Sequence, residues 1–279
     1  MNQLTLQQRQ NNAASRDHWE QAASHRQRVM QLIDSAHARP NARLCVLGAG
    51  NANDLDLARL AERFAEVHLV DLDDEALAAA VERQPVADQA ALRRHGDCDL
   101  SGVWPQLEQL TPDRPASDDE VDALVAAASG FAGPTLPGPF DVVVSACVLS
   151  QLINAVVVSL GETHPRFVDL LRAVRNRHLG LMIDLLVPGG TGIFITDVVS
   201  TDTAPQLQTV NPADLSKCVA GLIRDGNFFH GLNPKVLRAH FEQDEAIAPR
   251  VDDLEFIDPW LWHFGPRAYA VVAVKFRRV

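Results

Sequence analysis

A glycine-containing turn follows the first apolar run of the sequence. Residues 44–54 read Leu-Cys-Val-Leu-Gly-Ala-Gly-Asn-Ala-Asn-Asp, which is typical of a strand that ends in a tight turn before a helix. Glycine lets the main chain bend sharply and approach a ligand, and the N-terminus of the helix offers unpaired N–H groups. The residues that we expect nearest a ligand are Gly48, Ala49, Gly50 and Asn51. A purely structural turn would have the same composition.

Acidic residues follow the next two predicted strands. Asp71 ends the second strand, 21 positions after Gly50, where nucleotide-binding sheets place a carboxylate that accepts hydrogen bonds from a ribose diol. Asp73 is better placed to cap the next helix, so Asp71 and its neighbour Leu72 are left for a ligand. After the third strand, Asp97 and Cys98 are expected beside an adenine ring, although a turn would also use Asp97.

Further candidates follow the fourth and fifth strands. Ala146 ends the fourth strand on the same edge of the sheet, and Ser150 and Gln151 in the next helix are candidate substrate contacts. The candidate proton acceptors are Asp197, His230 and His263. The sequence places His263, with Trp260 and Trp262, in a connection between the last two strands, where packing explains aromatic residues equally well. The four cysteines are far apart and lack metal-ligand spacing, so no metal site is predicted.

The elements that must position these residues alternate between apolar runs and segments of helical period. This alternation predicts an α/β, Rossmann-like doubly wound fold with a mostly parallel seven-stranded sheet and an antiparallel last strand. Strands are predicted at residues 43–47, 67–70, 92–95, 141–146, 191–196, 254–257 and 268–276. Helices are predicted at residues 54–65, from Asp73 onward, at 118–128, 149–160 and 165–186, and after the caps Asn211 and Asn233. A turn at Pro188, Gly189 and Gly190 separates the long helix from the fifth strand.

The predicted domain organisation has two parts. Residues 1–40 form a helical extension that we interpret as a lid, and residues 41–279 form the main domain. Within the main domain, residues 111–139 are rich in Pro, Gly, Ser and Asp and predict a surface insertion.

The composition limits the function classes. With 36 acidic and 25 basic residues, the formal charge of −11 disfavours broad binding to nucleic acid. The polar N-terminus lacks a secretory signal and no apolar run spans a bilayer, so we expect a cytoplasmic protein without membrane partners. The oligomeric state is left open, with a homodimer as one option.

Together these features resemble the class I S-adenosylmethionine-dependent methyltransferases over residues 40–279. The glycine turn is similar to the first motif of that family, Asp71 to its ribose-binding acid and Asp97 to its adenine-side acid. Residues 140–152 resemble the motif beside the transferred methyl group, and residues 186–190 resemble its Pro-Gly-Gly turn. The resemblance implies S-adenosylmethionine as cofactor and methyl transfer to an acceptor, for which we expect a small molecule.

The sequence departs from the family pattern at two positions. Val46 stands where the family carries an acid that helps to hold the ammonium group of the cofactor, and Asp54 is a candidate substitute. Ala52 replaces the third glycine of the turn, which adds only one methyl group.

Three alternatives remain. An NAD(P)-dependent oxidoreductase would need a small residue at position 53, where the sequence has Asn53. An aminopropyltransferase would need a carboxylate just after the fourth strand, where residues 145–147 are Ser-Ala-Cys. A non-catalytic methyltransferase-like protein that binds the cofactor or a partner is the third alternative.

Overall fold

The computed structural model describes residues 3–36, 39–84, 86–110 and 116–279. The first half of the chain contains α1 (Gln3–Ser15), α2 (Ala23–Asp34), β1 (Arg43–Leu47), α3 (Leu57–Arg63), β2 (Glu66–Val70), α4 (Asp74–Arg83), β3 (Leu92–His95), α5 (Trp104–Leu107) and α6 (Asp118–Gly130). The second half contains β4 (Phe140–Ala146), α7 (Val148–Leu160), α8 (Phe167–Asp184), β5 (Leu186–Ser200), α9 (Leu215–Arg224), α10 (Pro234–Gln243), β6 (Val251–Phe264) and β7 (Arg267–Arg278). Residues 111–115, which open the predicted insertion, lie outside the described residues, as do residues 1, 2, 37 and 38 of the predicted lid.

The seven strands form one sheet in the order β3-β2-β1-β4-β5-β7-β6. The strands from β3 to β5 pair in parallel, whereas β7 is antiparallel to both of its neighbours. Six strands therefore run in one direction and only β7 is reversed. The prediction of a mostly parallel, doubly wound sheet with an antiparallel last strand is confirmed.

The central strands are buried on both faces because helices cover each side of the sheet. Leu44 and Val46 of β1 pack into the core on the side of α2, α3 and α4, while Cys45 and Leu47 pack on the side of α7 and α8. Burial of each large aliphatic side chain stabilises the fold by about 1.5–3 kcal/mol. This burial fixes the register of β1 and hence the position of the turn that follows it.

Several helices begin at the caps that the sequence indicates. The Asp73 side chain accepts a hydrogen bond from the Ala76 N–H at the start of α4, and the Asn233 side chain accepts one from the Lys235 N–H at the start of α10. Asn211 caps a short 3-10 turn, Pro212–Asp214, that leads into α9. The helix after the glycine turn begins at Leu57, later than predicted, because Asp56 is its cap.

Strand β6 is much longer than predicted, whereas β7 extends only slightly beyond its predicted bounds. Trp260 and Trp262 lie inside β6 and not in a connection, because β6 pairs with β7 as far as Phe264. Hydrogen bonds to a neighbouring strand extend a strand beyond its apolar core, which alternation of residue types alone cannot reveal. The predicted turn at residues 188–190 likewise lies within β5, next to an irregularity in its pairing with β4.

Candidate functional site

The glycine turn lies at the carboxyl end of β1, which pairs with β2 on one side and β4 on the other. Chain connections leave the sheet in opposite directions here, and open α/β sheets bind ligands in the crevice that results. The N–H groups of Gly48 and Ala49 donate to the Val70 carbonyl over 2.8 and 3.2 Å, which ties the turn to β2. Gly48 has a φ of +77°, and a Cβ at this position would lie 2.4 Å from the Cβ of Val148. Gly48 is therefore required by the fold itself.

Asp71 links the end of β2 to the glycine turn. One carboxylate oxygen accepts from the Gly50 N–H over 2.8 Å, and the other accepts from the Asp73 N–H over 3.0 Å. The residue is only 8% exposed, and burial raises the pKa of its carboxyl group to about 6. Each carboxylate oxygen can accept more than one hydrogen bond, so these contacts leave capacity for a further donor.

A narrow cavity, here named the slot, opens beside Asp71. Its lining is mostly apolar and comprises Gln8, Asp71, Leu72, Cys98, Asp99, Leu100, Trp104, Val148, Gln151 and Leu152. Its volume is about 20 Å³, which is room for about one water molecule. The Asp99 carboxylate points into its own loop, where it accepts from the N–H groups of Ser101 and Trp104. The slot therefore presents Asp71 as its main free acceptor.

The structure separates the two neighbours Asp97 and Cys98. Cys98 lines the slot, whereas Asp97 is absent from its lining, and the Asp97 side chain is 79% exposed. Asp97 has a φ of +52° and lies 3.6 Å from the guanidinium of Arg9 on α1. A contact between Asp97 and an adenine ring stays a prediction that would need this loop to turn inward.

Asp54 and Val46 occupy different surroundings. Val46 is fully buried in the core of the sheet. Asp54 follows the turn, is mostly buried and forms no ion pair with a described residue. Burial is the main cause that raises the pKa of Asp54 to about 7. Burial raises the pKa of the Cys147 thiol well above its usual value, and the charges of Asp197 and Asp54 add to this effect.

A larger cavity, here named the chamber, lies between α1 and the carboxyl ends of β4 and β5. Its volume is about 810 Å³, within the range of small-molecule sites. Its lining includes Ser150, Gln151, Asp197, His230, Trp262, Phe264, Arg267 and Tyr269. Ser150 donates from Oγ to the Asp197 carboxylate over 2.6 Å. His230 is half exposed at the rim, where Nε2 contacts the Glu162 carboxylate at 2.7 Å.

His263 is not part of the chamber. Successive residues of a strand point to opposite faces, so Trp262 and Phe264 line the chamber while His263 between them is exposed to solvent. The sequence placed His263 near the site because the segment was interpreted as a connection rather than as a strand.

Helix α1 covers both cavities. Gln8 donates to the Gln151 side chain over 2.7 Å, and Asn12 donates to the Asp73 carboxylate over 3.0 Å. Asn51 of the glycine turn donates in return to the Asn12 carbonyl over 2.6 Å. Four further residues contribute to the site and were not predicted from the sequence, namely Gln8, Asn12, Trp104 and Tyr269. The run of Gln and Asn in residues 7–12 is the signal in the sequence that could have indicated this role for α1. A helix so polar is poorly suited to cover an apolar core.

The described residues contain no cluster of three or more His, Cys, Asp or Glu residues that could hold a metal ion. The helices described are also too short or too polar for any of them to cross a membrane.

The chain is similar to solved structures but matches no sequence family. No protein-family model and no curated protein matches the chain. The N-methyltransferase NodS from Bradyrhizobium japonicum, solved with S-adenosyl-L-homocysteine, is 14% identical, with 91% of this chain and 86% of that chain covered at a TM-score of 0.45. An O-methyltransferase family protein from Burkholderia thailandensis is 13% identical, with 96% and 59% covered at a TM-score of 0.46.

An amino pentose methyltransferase of calicheamicin biosynthesis from Micromonospora echinaspora, solved with S-adenosylmethionine, is 21% identical. The match covers 63% of this chain and 50% of that chain at a TM-score of 0.33, so this chain spans half the length of that enzyme. Identities and scores this low support no statement about function. The fold follows from the sheet itself, in which β7 alone is reversed among seven strands. This is the class I methyltransferase fold.

In this methyltransferase fold the slot and the chamber are neighbours. Gln8, Trp104 and Gln151 line both cavities. A molecule in the slot and a molecule in the chamber would therefore meet at the start of α7, close to Ser150 and Asp197. The arrangement suits a reaction between two bound compounds.

Proposed function

We propose that this protein binds S-adenosylmethionine at the glycine turn and the slot, and transfers its methyl group to a small molecule in the chamber. The observation that carries the proposal is the Asp71 carboxylate at the end of β2, hydrogen-bonded to Gly50 and opening onto an apolar slot. Open α/β sheets use such a carboxylate to hold ribose hydroxyls.

The residues at the crevice fit the parts of this cofactor. Asp71 would accept from the ribose hydroxyls, and the apolar side chains of Leu72 and Leu100 would flank the adenine. Asp54 would hold the ammonium group in place of the acid missing at Val46, because it follows the glycine turn and its carboxylate is largely removed from solvent. A cofactor that carries a sulfonium and an ammonium group would stabilise the ionised forms of these buried carboxylates.

The chain's own contribution to the reaction is position and shielding. The bound cofactor supplies a methyl group that its sulfonium already activates, so no nucleophilic side chain is needed. The glycine turn and Asp71 would fix the direction of the methyl group, and Ser150 and Asp197 border the chamber where the acceptor would lie. Helix α1 would exclude water from the meeting point of the two cavities.

We also propose that α1 is a lid, because the slot is too small for adenosine as it stands. Gln8 lies on α1 and lines the slot, so movement of α1 would enlarge it. The same closed slot favours a second candidate, a methyltransferase-like protein that transfers no methyl group. An NAD(P)-dependent oxidoreductase is less favoured, because the Asn53 side chain fills the third small position of that fingerprint and donates to the Ser15 carbonyl over 2.8 Å.

Calorimetry tests the proposal. Wild-type protein is titrated with S-adenosylmethionine, S-adenosylhomocysteine and NAD, and the two sulfur ligands are expected to bind while NAD is not. Asp71→Ala should weaken both sulfur ligands by about 10- to 100-fold, since hydrogen bonds to a charged group are lost. Asp252→Ala, which removes an exposed acid of β6, is the control and should bind as the wild type does.

Two results would overturn the proposal. Absence of heat with both sulfur ligands would reject cofactor binding, and an unchanged affinity in Asp71→Ala would reject the slot as the site. Binding without methyl transfer to any acceptor of a broad small-molecule panel would favour the second candidate.

A further inference from the structure

The chamber contains a buried carboxylate that lacks a cation. Asp197 lies on β5 two residues beyond Ile195, the last residue paired with β4, is only 6% exposed and lines the chamber. One oxygen accepts from Ser150 Oγ over 2.6 Å, and the carboxylate forms no ion pair with a described residue. Burial therefore raises the pKa of Asp197 to about 6. A buried charge of this kind is costly unless a partner of opposite charge arrives.

The other charged groups of the chamber do not supply that partner. Arg267 is the only Lys or Arg in the lining among described residues, and its Nε lies 3.1 Å from the Asp202 carboxylate at the rim. Tyr269 is a further hydrogen-bond partner of the Arg267 guanidinium. His230, also at the rim, is engaged by Glu162. The chamber thus keeps one negative charge at its inner end.

Aromatic rings also line the chamber. The ring of Trp262 lies 4.9 Å from that of Phe264 and 5.3 Å from that of Tyr269, measured between centroids. Phe228 and Phe229 line the chamber as well. The faces of aromatic rings attract cations, and they also pack against flat or apolar ligand bodies. The lining therefore combines one anionic contact with a large aromatic surface.

We propose that the methyl acceptor is a primary or secondary amine on an apolar or aromatic body, held as its ammonium form by Asp197. This inference rests on the proposed function and names its substrate class. An acid or a phosphorylated compound would face the Asp197 charge and is disfavoured. An alcohol is neutral and leaves that carboxylate without a counter-charge.

The reaction that follows is N-methylation. The ammonium group gives one proton to the Asp197 carboxylate, which frees the nitrogen lone pair. A bond forms between the nitrogen and the methyl carbon as the bond between that carbon and the sulfur breaks, and its electron pair stays on the sulfur. The products are an N-methylated ammonium ion and neutral S-adenosylhomocysteine, and the proton on Asp197 passes to water.

The test compares amines with alcohols of the same shape. Phenethylamine and tryptamine, and their counterparts 2-phenylethanol and tryptophol, are titrated into wild-type protein, with and without S-adenosylhomocysteine, by calorimetry. Each amine is expected to bind about tenfold or more tightly than its alcohol. Asp197→Asn should abolish that preference, whereas Asp252→Asn, which removes an exposed acid of β6 outside the chamber lining, should preserve it.

Equal affinity of amine and alcohol, absence of amine binding at millimolar concentration, or a preference that survives in Asp197→Asn would each overturn the inference. The ligand pairs test it on the wild-type protein even if Asp197→Asn does not fold. The separate titration with S-adenosylhomocysteine distinguishes failure of the proposed function from failure of this inference about the substrate. Loss of that binding rejects the proposed function, whereas loss of the amine preference alone rejects only the substrate class.

Discussion

At the scale of single residues, the buried Asp197 carboxylate makes the stability of the protein depend on pH in an unusual direction. Its pKa is about 6 in the folded protein and near 3.8 when unfolded, so between these values the folded state holds more protons. The free energy of unfolding contributed by this residue therefore decreases as pH rises from about 4 to about 6, by roughly 1–3 kcal/mol.

Asp197→Asn removes the titration of this carboxyl group, so the difference in stability between the variant and the wild type reports on Asp197 alone. Denaturant unfolding of both proteins at several pH values is the measurement. The gap between their free energies of unfolding should change from about pH 4 to about pH 6 and level off above pH 6. Asp202→Asn is the control, because Asp202 is half exposed. A gap that stays constant with pH would show that the Asp197 side chain is not desolvated.

Gly48 is the residue of the crevice with the least freedom to change. In Gly48→Ala the new Cβ would overlap Val148 and the left-handed backbone would be strained, so the free energy of unfolding should fall by about 1–3 kcal/mol. Gly130→Ala is the matched control, since nothing lies within 4 Å of its added Cβ and its φ is not in the left-handed region. Thermal unfolding of the two variants tests this difference, and equal midpoint temperatures would contradict the prediction.

At the scale of elements, α1 is attached to the crevice mainly by polar contacts. Asn12 joins α1 to both Asp73 and Asn51, and loss of one such hydrogen bond costs about 1 kcal/mol. Asn12→Ala should therefore speed hydrogen exchange of the α1 amides by about fivefold while the amides of β1 and β4 keep their rates.

Gln10→Ala provides the comparison for α1, because Gln10 is exposed on the same helix. Hydrogen exchange followed by mass spectrometry should separate the two variants. Equal rates in both would mean that Asn12 does not hold the helix.

The elements that the sequence predicts best are those whose signal is local. The bounds of β1 and β3 match the apolar pattern, and the cap at Asp73 was evident because capping depends on nearby residues. The length of β6 was not evident, because it depends on pairing with β7. The position of α1 over the slot depends on contacts between residues up to 143 positions apart, as for Gln8 and Gln151, which local patterns do not encode.

At the scale of the whole molecule, the N-terminal part of the chain is joined to the last strands through a buried histidine. Trp260 Nε1 of β6 donates to Nδ1 of His25 on α2 over 3.0 Å, although the two residues are 235 positions apart. The His25 ring also stacks on Trp262 at 4.6 Å between centroids. The contact fixes α2 against the edge of the sheet behind the chamber wall.

This contact predicts that the fold is weakened by acid. Burial lowers the pKa of His25 from 6.5 to about 3. Between pH 6.5 and about pH 3 the ring is therefore protonated in the unfolded state and neutral in the folded state. The stability contributed by neutral His25 is thus lost as pH falls from about 6.5 toward 3, by up to about 3 kcal/mol at about pH 4. The sign is opposite to that of Asp197, so the pH profile of wild-type stability alone cannot separate the two effects.

His25→Gln keeps an acceptor for Trp260 without a titrating ring, and its stability relative to the wild type should improve as pH falls. His263→Gln, at an exposed position of β6, should leave the wild-type profile unchanged. Parallel profiles for His25→Gln and the wild type would mean that acid does not act through His25.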